Sequence, residues 1–593
     1  MSKATIKNLE ALRDEMRRVN VAAVIIPGTD PHQSEYISGH WKFRDWITGF
    51  TGSNGTAVVT LDKAGLWTDS RYFLQAGIQL EGSGVDLHKE DIPGEATITE
   101  WLLGELKEDD VLAVDGRLFS IISANALEEF CGRNGFRFAA DFSPADKIWE
   151  GRPARPMGKA FVHGVEYAGE DVRSKISRVM AAVESRGADA VFLPALDDIA
   201  WTLNLRGDDV RFTPVVISYL YLSAKECVLF IDAEKVDGSV KAHLKAAGVK
   251  IKDYDEVAEY LGRVSVNTTV LLDPKQVSDT LGRALECYKV YSASPVVPLK
   301  AIKNETQIAG VRKAMERDGA ALVRLFMWIE ANASSGKYNE CDVWEMGKKF
   351  RAQSDLYRGD SFGMIAGYKE HGAIVHYTAN EESASTIYAD GLLLVDSGGQ
   401  YLDGTTDITR TVSLGNPTAS EVHDYTLVLK GHLALMRAQF PVGTRGSQLD
   451  ALARIYQWEE GMTYLHGTGH GVGFFLGCHE GPQNIRLNEN PATLQPGMIT
   501  SDEPGIYKAG QYGIRTENLL LTVPGEHSDE FGDFLKFETL TLFPYDTTLI
   551  DKSMLTPKEI EQVNDYQATV RERLTPYLSE EEAAWLAGKT KAI

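Results

Sequence analysis

Apolar and polar positions follow a helical and then a strand pattern in the first half of this chain, and the same order recurs. Residues 6–19 place Ile6, Leu9, Leu12 and Met16 on one helical face, and the following apolar run is typical of a buried strand. A second helical pattern and a second apolar run repeat that order further along, over residues 171–186 and 189–194. In both places a polar turn and further apolar strands come next. The repeat predicts two successive α/β domains of similar plan, with chance similarity between two ordinary α/β units as the alternative.

A length of 593 residues is too great for one hydrophobic core, so several domains are expected. The stretch 150–158, which contains proline and glycine, predicts the first boundary, and a second falls near 294–307. The helical pattern over 305–332 begins with a capping signal at Asn304, and a polar helical tail covers 557–590. We predict an α/β (α+β) chain with domains at 1–153, 154–300 and 301–593, the last ending in a helical extension over about 548–593.

Charge and composition narrow the class of partner. A formal net charge of −23 favours solubility and argues against nucleic acid or an anionic membrane as a partner. No segment approaches an uncharged apolar stretch of about 18 residues, and the amino terminus lacks the apolar core of a signal peptide. The 5 cysteines are scattered, which is typical of reduced thiols, and Cys478 is interpreted as a buried small residue. We expect a cytoplasmic protein that binds neither nucleic acid nor a membrane.

Paired acids occur in two similar segments of the last third of the chain. One apolar run ends in Asp396, and a turn containing glycine leads to a second acid, Asp407. A later apolar run ends near Glu503, and a similar turn leads to Glu517. Each segment predicts a β-hairpin that presents one carboxylate from each strand on the same side. Facing hairpins would place four carboxylates around one point.

A glycine-rich segment over 466–473 lies between these acids and contains His470. Four carboxylates cannot share a small space as bare charges, because like charges raise one another's pKa. Two divalent cations would resolve that conflict, and oxygen-rich ligation with one imidazole suits Mn²⁺, Co²⁺, Zn²⁺ or Fe²⁺. Each acid taken alone has a simpler interpretation: Asp407 as a turn cap, or Glu517 as the ion-pair partner of Arg515. Their conjunction favours a metal site.

These segments resemble the metallopeptidase family with the "pita-bread" fold, which includes methionine aminopeptidase, prolidase and aminopeptidase P. The motifs DSGGQYLDGTTDITRT, HGTGHGVG, HEGP and DEPGIY are similar to those of the Xaa-Pro aminopeptidases. Two related α/β domains before a catalytic domain are similar to the long, cytosolic, three-domain type of that group. The resemblance implies a pita-bread catalytic domain over 301–593.

The resemblance also implies a role for each candidate site residue. Five residues match the family's metal ligands position by position: Asp396, Asp407, His470, Glu503 and Glu517. Glu503 matches the general base, and His376 and His479 match catalytic histidines that line the substrate site. His466 is either a substrate contact or a structural histidine. Arg515 matches an arginine that steadies the carboxylates beside the substrate.

The implied reaction is hydrolysis of the bond between an amino-terminal residue and a penultimate proline, by a water that bridges two divalent ions. The family suggests Mn²⁺ as the metal, peptides with proline at the second position as substrates, and a homodimer as the assembly. A prolidase restricted to dipeptides is the nearest alternative, although prolidases of this family generally have one leading domain. A protein-binding module without metal, or a metal-independent creatinase-like hydrolase, is disfavoured because all the ligand positions are filled.

Overall fold

The computed structural model describes residues 2–593 and divides into two compact units. The first unit runs to Gly164 and resumes at Glu170–Val297, whereas the second combines Val165–Gly169 with Pro298–Ile593. The first predicted α/β domain and most of the second lie in the first unit, and the boundary between them at residue 153 stays a prediction. The part predicted as catalytic lies in the second unit.

The first α/β half of the first unit is a mixed sheet flanked by helices. Its helices are Ser2–Arg18 (α1), Phe43–Thr48 (α2), Phe73–Gln79 (α3), Ile98–Glu105 (α4), Ile121–Asn134 (α5) and Ala145–Ile148 (α6). Its strands are Ala23–Ile26 (β1), Thr56–Thr60 (β2), Ala64–Thr68 (β3), Asp86–Lys89 (β4), Val111–Ala113 (β5) and Arg137–Ala139 (β6). They are ordered β4–β3–β2–β1–β5–β6.

One predicted core position on α1 is wrong. Leu9, Leu12 and Met16 are buried as expected, but Ile6 is 44% exposed and Thr5 is buried in its place. The reason is geometric: Thr5 lies four residues before Leu9 and so shares its face, whereas Ile6 lies about 100° further around the helix.

The second α/β half follows the same plan. Its strands, with two short flanking ones, are Phe161–Val162 (β7), Ala190–Leu193 (β8), Leu205–Arg206 (β9), Tyr219–Ser223 (β10), Cys227–Phe230 (β11), Val249–Lys252 (β12), Thr269–Leu272 (β13) and Tyr288–Tyr291 (β14). The helices of this stretch are Val165–Ala168 (α7), Val172–Glu184 (α8), Leu196–Leu203 (α9), Gly238–Ala246 (α10), Val257–Leu261 (α11), Asp279–Ala284 (α12) and Val296–Ala301 (α13). The sheet order is β12–β11–β10–β8–β13–β14.

Strand directions match between the two halves. The central strands β1 and β8 each run antiparallel to one neighbour, β2 or β10, and parallel to the other, β5 or β13. The outer pairs also agree, since β3–β4 and β11–β12 are parallel, as are β5–β6 and β13–β14. The predicted internal repeat is therefore confirmed.

Long helices cover the sheets of the second unit. The helices are Glu305–Asn332 (α14), Glu340–Arg351 (α15), Ala419–Met436 (α16), Asp450–Trp458 (α17), Pro557–Leu574 (α18) and Glu580–Lys589 (α19). Helix α14 begins where the sequence predicts, because the Asn304 side chain accepts a hydrogen bond from the Gln307 backbone N–H in a capping box. The carboxyl-terminal tail is helical as predicted, and Val563, Val570 and Leu586 bury its apolar face in the main core.

The strands of this unit form several small antiparallel sheets. They are Tyr357–Asp360 (β15), Ile365–Tyr368 (β16), Leu392–Ser397 (β17), Gly399–Tyr401 (β18), Gly404–Thr405 (β19), Ile408–Ser413 (β20), Gln439–Pro441 (β21), Gly469–Gly471 (β22), Glu480–Ile485 (β23), Ile499–Asp502 (β24), Gly505–Lys508 (β25), Tyr512–Arg515 (β26), Asn518–Ser528 (β27) and Gly532–Thr539 (β28). The two sheets that carry the predicted ligands are ordered β16–β17–β20 and β21–β28–β27–β24–β22–β23. Among residues 2–593, no helix is both long enough and apolar enough to cross a membrane.

Candidate metal centre

The first acid pair lies where β17 and β20 meet. Asp396 is on β17 and faces Thr409 of β20 across the ladder, while Asp407 lies just before β20 begins. The connection between the two strands is not the simple hairpin that the sequence predicts. Strands β18 and β19 intervene and pair with each other, and β18 also pairs with β15, in a separate small sheet. The predicted strand pairing is right, and the predicted single turn is wrong.

The second acid pair has the same construction. Strands β24 and β27 pair with Asp502 opposite Asn518, and Glu503 and Glu517 follow and precede these residues in the chain. The hairpin of β25 and β26 is inserted between the two acids. In both segments a hairpin is inserted between two strands that pair with each other. Each acid therefore lies at or next to the end of a paired strand.

Thr409 joins the two segments. Its backbone carbonyl accepts a hydrogen bond from the Glu517 N–H at 3.1 Å, and its hydroxyl donates to Glu517 Oε2 at 2.8 Å. The same hydroxyl accepts from Arg515 Nε at 3.1 Å. One buried side chain therefore fixes the position of a predicted ligand from the other segment.

His470 completes the cluster from β22. Its Nδ1 lies 2.9 Å from the carbonyl oxygen of Gly471, which directs Nε2 toward the acids. That Nε2 lies 3.5 Å from both Asp407 Oδ2 and Glu503 Oε1. Potential ligand atoms of Asp407, His470 and Glu517 all lie within 4.8 Å of one another. Residues from three separate chain segments thus converge on one point.

The electrostatics of the cluster are those of carboxylates brought together out of water. Burial raises the pKa of Glu503 to about 7, and burial together with the neighbouring carboxylates raises the pKa of Glu517 well above its ordinary value. The pKa of Asp396 is also raised, chiefly by burial, although Arg515 opposes the shift. Burial acts to lower the pKa of His470, but its hydrogen bond to Asp407 and the charge of Glu503 raise it to about 9.

Among the predicted ligands, two buried carboxylate oxygens lack a hydrogen-bond donor. They are Asp396 Oδ1 and Glu517 Oε1, and a buried polar atom left in this way costs about 1–3 kcal/mol. A divalent cation would satisfy both oxygens and offset the mutual repulsion of the carboxylates. The donor set of carboxylate oxygens and one imidazole nitrogen therefore fits a site for divalent metal ions.

Arg515 lies behind the cluster and connects it to His466. Its Nη2 donates to Asp396 Oδ2 at 2.6 Å, and its Nη1 donates to the Tyr507 hydroxyl at 2.8 Å. That hydroxyl lies 2.8 Å from Nε2 of His466, whose Nδ1 lies 2.7 Å from the Gly467 carbonyl oxygen. Because a carbonyl only accepts, Nδ1 carries the proton, and in the neutral ring Nε2 then accepts from Tyr507.

The remaining predicted histidines occupy different positions. The ring of His479 packs edge-on against the ring of His470, with 4.3 Å between centroids. His376 is half-buried in the turn after the 3₁₀ helix Lys369–Ala373, on the connection between β16 and β17. The structure thus brings His479 into direct contact with a predicted ligand and places His376 on a segment next to a ligand-bearing strand.

Three residues of the site were missed by sequence reasoning. Thr409 hydrogen-bonds to Glu517 and Arg515, and Tyr507 hydrogen-bonds to Arg515 and His466. The Cys478 thiol donates to Asp407 Oδ2 at 3.2 Å. Cys478 is buried as predicted, but it also contacts a predicted ligand. Its place directly before His479 is a signal that could have indicated this role. For Thr409 and Tyr507 the contacts depend on pairing between distant strands, which no local pattern shows.

Known families match nearly all of the chain. The family described as "Creatinase/Prolidase N-terminal domain" matches residues 8–149, and a second family of the same description matches 151–307. The family described as "Metallopeptidase family M24" matches 309–524, and the "C-terminal region of peptidase_M24" matches 533–593.

Relatives named as aminopeptidases are similar over the full length. Aminopeptidase P2 of Arabidopsis thaliana is 39% identical, with 97% of this chain and 86% of that protein covered. Xaa-Pro aminopeptidase 1 of Dictyostelium discoideum is 36% identical, with 100% and 97% covered.

Solved structures give the same result. An X-prolyl aminopeptidase from Caenorhabditis elegans, described as a cytosolic enzyme with a di-nuclear active site, has a TM-score of 0.95 and 34% identity, covering 99% of this chain and 100% of that one. An Xaa-Pro dipeptidase from Bacillus anthracis shares the fold with a TM-score of 0.51 at 24% identity, and covers 63% of this chain and 99% of that one. By these full-length similarities the chain belongs to the Xaa-Pro aminopeptidase, or aminopeptidase P, family of M24 metallopeptidases.

Proposed function

We propose that this protein is a metal-dependent aminopeptidase that hydrolyses the bond between an amino-terminal residue and a penultimate proline. The observation that carries the proposal is the convergence of Asp407, His470 and Glu517 within 4.8 Å, in a chain similar over its full length to proteins named for that activity. The proposed arrangement keeps two α/β domains, at 1–153 and 154–300, before a catalytic domain at 301–593.

The proposed metal ligands are five side chains, Asp396, Asp407, His470, Glu503 and Glu517. Two divalent ions, when bound there, would neutralise the carboxylates, polarise the scissile carbonyl and lower the pKa of a water. We propose Mn²⁺ as the native metal because carboxylate oxygens dominate the donor set, with Co²⁺, Zn²⁺ or Fe²⁺ as alternatives.

The chain's own residues would bind and orient the substrate and move its protons. Glu503 accepts the proton of the attacking water, for which a half-buried carboxylate held 3.1 Å from the Ser501 hydroxyl is a suitable base. His376 stabilises the oxyanion as it develops, and His479 orients the peptide beside the scissile bond. Arg515 holds Asp396 in place and, with His466 and Tyr507, forms one wall of the substrate site.

Selection for proline follows from its chemistry. Proline has no amide hydrogen and a fixed φ, so the bond before it presents a shape and a hydrogen-bond pattern that general aminopeptidases handle poorly. The proposed substrates are therefore peptides with proline at the second position. Because an exopeptidase must recognise the free amino group, we propose that this group would bind close to one of the two metal ions.

We further propose a cytosolic homodimer. The C. elegans protein is described as a cytosolic enzyme, and the net charge of −23 is consistent with that setting. Exposed apolar side chains that suit an association surface include Ile455 and Trp458 on α17 and the nearby Leu465. Analytical ultracentrifugation at several concentrations tests the dimer.

An assay that compares Ala-Pro with Ala-Pro-Ala tests the proposed function. Metal-free protein should cleave neither peptide, and protein restored with Mn²⁺ should cleave the tripeptide. Cleavage of the dipeptide alone would show a prolidase instead. No cleavage, together with no stoichiometric metal, would show a binding module.

A further inference from the structure

Three buried charges form a compact cluster next to the metal site. Lys300 Nζ lies 3.0 Å from Glu480 Oε2, and Lys303 Nζ lies 2.8 Å from Glu480 Oε1. The side chains are 2%, 0% and 2% exposed, respectively, for Lys300, Lys303 and Glu480. Each carboxylate oxygen therefore receives its own ammonium group away from water.

Such a cluster is an expensive way to stabilise a fold. Removing these charges from water carries a desolvation penalty that ion pairing often fails to offset. Burial accordingly lowers the pKa of Lys303. Replacing a buried ion pair by apolar side chains of similar volume is often neutral or stabilising, so the charges call for a functional reason.

Glu480 directly follows two residues that contact predicted ligands. Cys478 donates to the predicted ligand Asp407, and His479 packs against the predicted ligand His470 at 4.3 Å between centroids. Glu480 comes next and begins β23. The two lysines therefore fix the end of a segment whose other members lie on the ligands.

Gly473, in the glycine-rich motif, leaves room for this arrangement. A Cβ at position 473 would lie 3.2 Å from Glu480 Oε2 and 2.5 Å from the Gly477 carbonyl oxygen. The Glu480 carboxylate therefore packs directly against the chain that follows His470, and only glycine is accommodated there.

The lysine segment also contacts the second ligand-bearing strand through its backbone. The Lys303 N–H donates to the Gly497 carbonyl at 2.9 Å. Gly497 has φ +92°, and a Cβ there would lie 2.9 Å from the Lys303 carbonyl oxygen. The chain beyond Gly497 forms β24, which leads to Glu503. Residues 300–303 thus bind both the His479 segment and the start of the Glu503 segment.

We propose that Lys300 and Lys303 are positioning residues for the reaction, which hold Glu480 so that His479 keeps its orientation against His470. The inference rests on the proposed function, because His479 is assigned there to orient the peptide. Both lysines lie before residue 309, where the match to the M24 family begins. The working catalytic unit therefore includes the segment from Pro298 onward.

A double-mutant cycle between Lys303→Met and His479→Ala tests the proposal on the full chain with Ala-Pro-Ala as substrate. Methionine keeps the stem volume and removes the charge. In the wild-type background Lys303→Met should lower kcat about 100-fold with KM changed less than about threefold, as expected for a misplaced group near the reacting bond. In the His479→Ala background the same change should lower kcat by less than about twofold, because the residue it positions is already gone.

Lys303→Arg and Lys430→Met are the matched controls. Lys303→Arg retains the charge and should recover kcat to within about tenfold of wild type. Lys430→Met breaks another buried lysine–glutamate pair, with Glu559 at 2.9 Å, and should lower the melting temperature without changing kcat. Calorimetric titration of the metal-free Lys303→Met protein with Mn²⁺ should give an affinity within about threefold of wild type, since Lys303 pairs with Glu480 and not with a predicted ligand.

Full additivity of the two changes, or unchanged kcat in Lys303→Met, would overturn the proposal. Equal loss of kcat in Lys430→Met would also overturn it, because the effect would then be general destabilisation. If Lys303→Met does not fold, the cycle is run with Glu480→Gln and His479→Ala. Glu480→Gln should then lower kcat in the wild-type background and leave it nearly unchanged in the His479→Ala background, and full additivity would again overturn the proposal. Wild-type protein that fails to cleave Ala-Pro-Ala would instead refute the proposed function, so the two failures are distinguishable.

Discussion

Replacement of Thr409 by valine should weaken metal binding while leaving the fold intact. The hydroxyl donates to Glu517 Oε2 at 2.8 Å and accepts from Arg515 Nε at 3.1 Å, and valine has nearly the same shape without these bonds. Glu517 Oε1 already lacks a donor, so Thr409→Val leaves both oxygens of this carboxylate without a hydrogen bond from a side chain.

The expected size of the effect follows from the kind of bond lost. A hydrogen bond to a charged group contributes about 1.5–3 kcal/mol, which corresponds to about 10- to 100-fold in a binding constant. Loss of a residue that orients a metal ligand has a similar effect. We therefore expect Thr409→Val to weaken Mn²⁺ binding by about 10- to 100-fold, with kcat largely retained at saturating metal.

Calorimetric titration of metal-free protein with Mn²⁺ measures this directly. Thr522→Val is the matched control, because Thr522 is fully buried on β27 and its hydroxyl has no hydrogen-bond partner. The control should bind Mn²⁺ as wild type does. Equal affinities for Thr409→Val and wild type would refute the reasoning that Thr409 orients Glu517 for metal.

Three further predictions concern the same site. Asp407→Ala or Glu517→Ala should abolish metal-dependent cleavage of Ala-Pro-Ala while the circular dichroism spectrum stays that of wild type, and full activity in either variant would remove the ligand assignment. The pKa values of His470 and Glu503 are about 9 and about 7, and metal binds the deprotonated form of both side chains. The affinity for Mn²⁺ should therefore rise from pH 6 to pH 8, with release of protons on binding. An affinity that does not change with pH would contradict this prediction. Arg515→Lys should lower kcat about tenfold or more, because one ammonium group cannot replace the guanidinium hydrogen bonds to Asp396, Tyr507 and Thr409. A kcat near the wild-type value in steady-state kinetics would refute a positioning role for Arg515.

Much of the fold could be predicted because local signals agreed with the tertiary structure. The capping box at Asn304 marks the start of α14, and the repeated helix and strand pattern anticipates two sheets of identical order. Ile6 shows where such reasoning fails. An apolar residue one position out of phase was assigned to the buried face, while the polar Thr5 occupies that face because its position in the helix requires it.

The candidate site could be predicted only in part. Paired acids after apolar runs indicated the strands that carry them, and β17–β20 and β24–β27 pair accordingly. The β18–β19 insertion was missed because β18 pairs with the distant β15, whereas the β25–β26 insertion pairs locally within a stretch predicted as a single turn. The contact of Lys303 with Glu480 spans 177 residues of sequence, and a separation of that size leaves no periodic signal to detect.

Stoichiometric metal titration of activity tests the central claim most directly. Metal-free protein is supplied with increasing Mn²⁺, and cleavage of Ala-Pro-Ala and bound metal are measured on the same samples. We predict no cleavage without metal and full activity as binding approaches two ions per chain. Cleavage by metal-free protein, or full activity in samples that hold no bound metal, would contradict a two-metal mechanism.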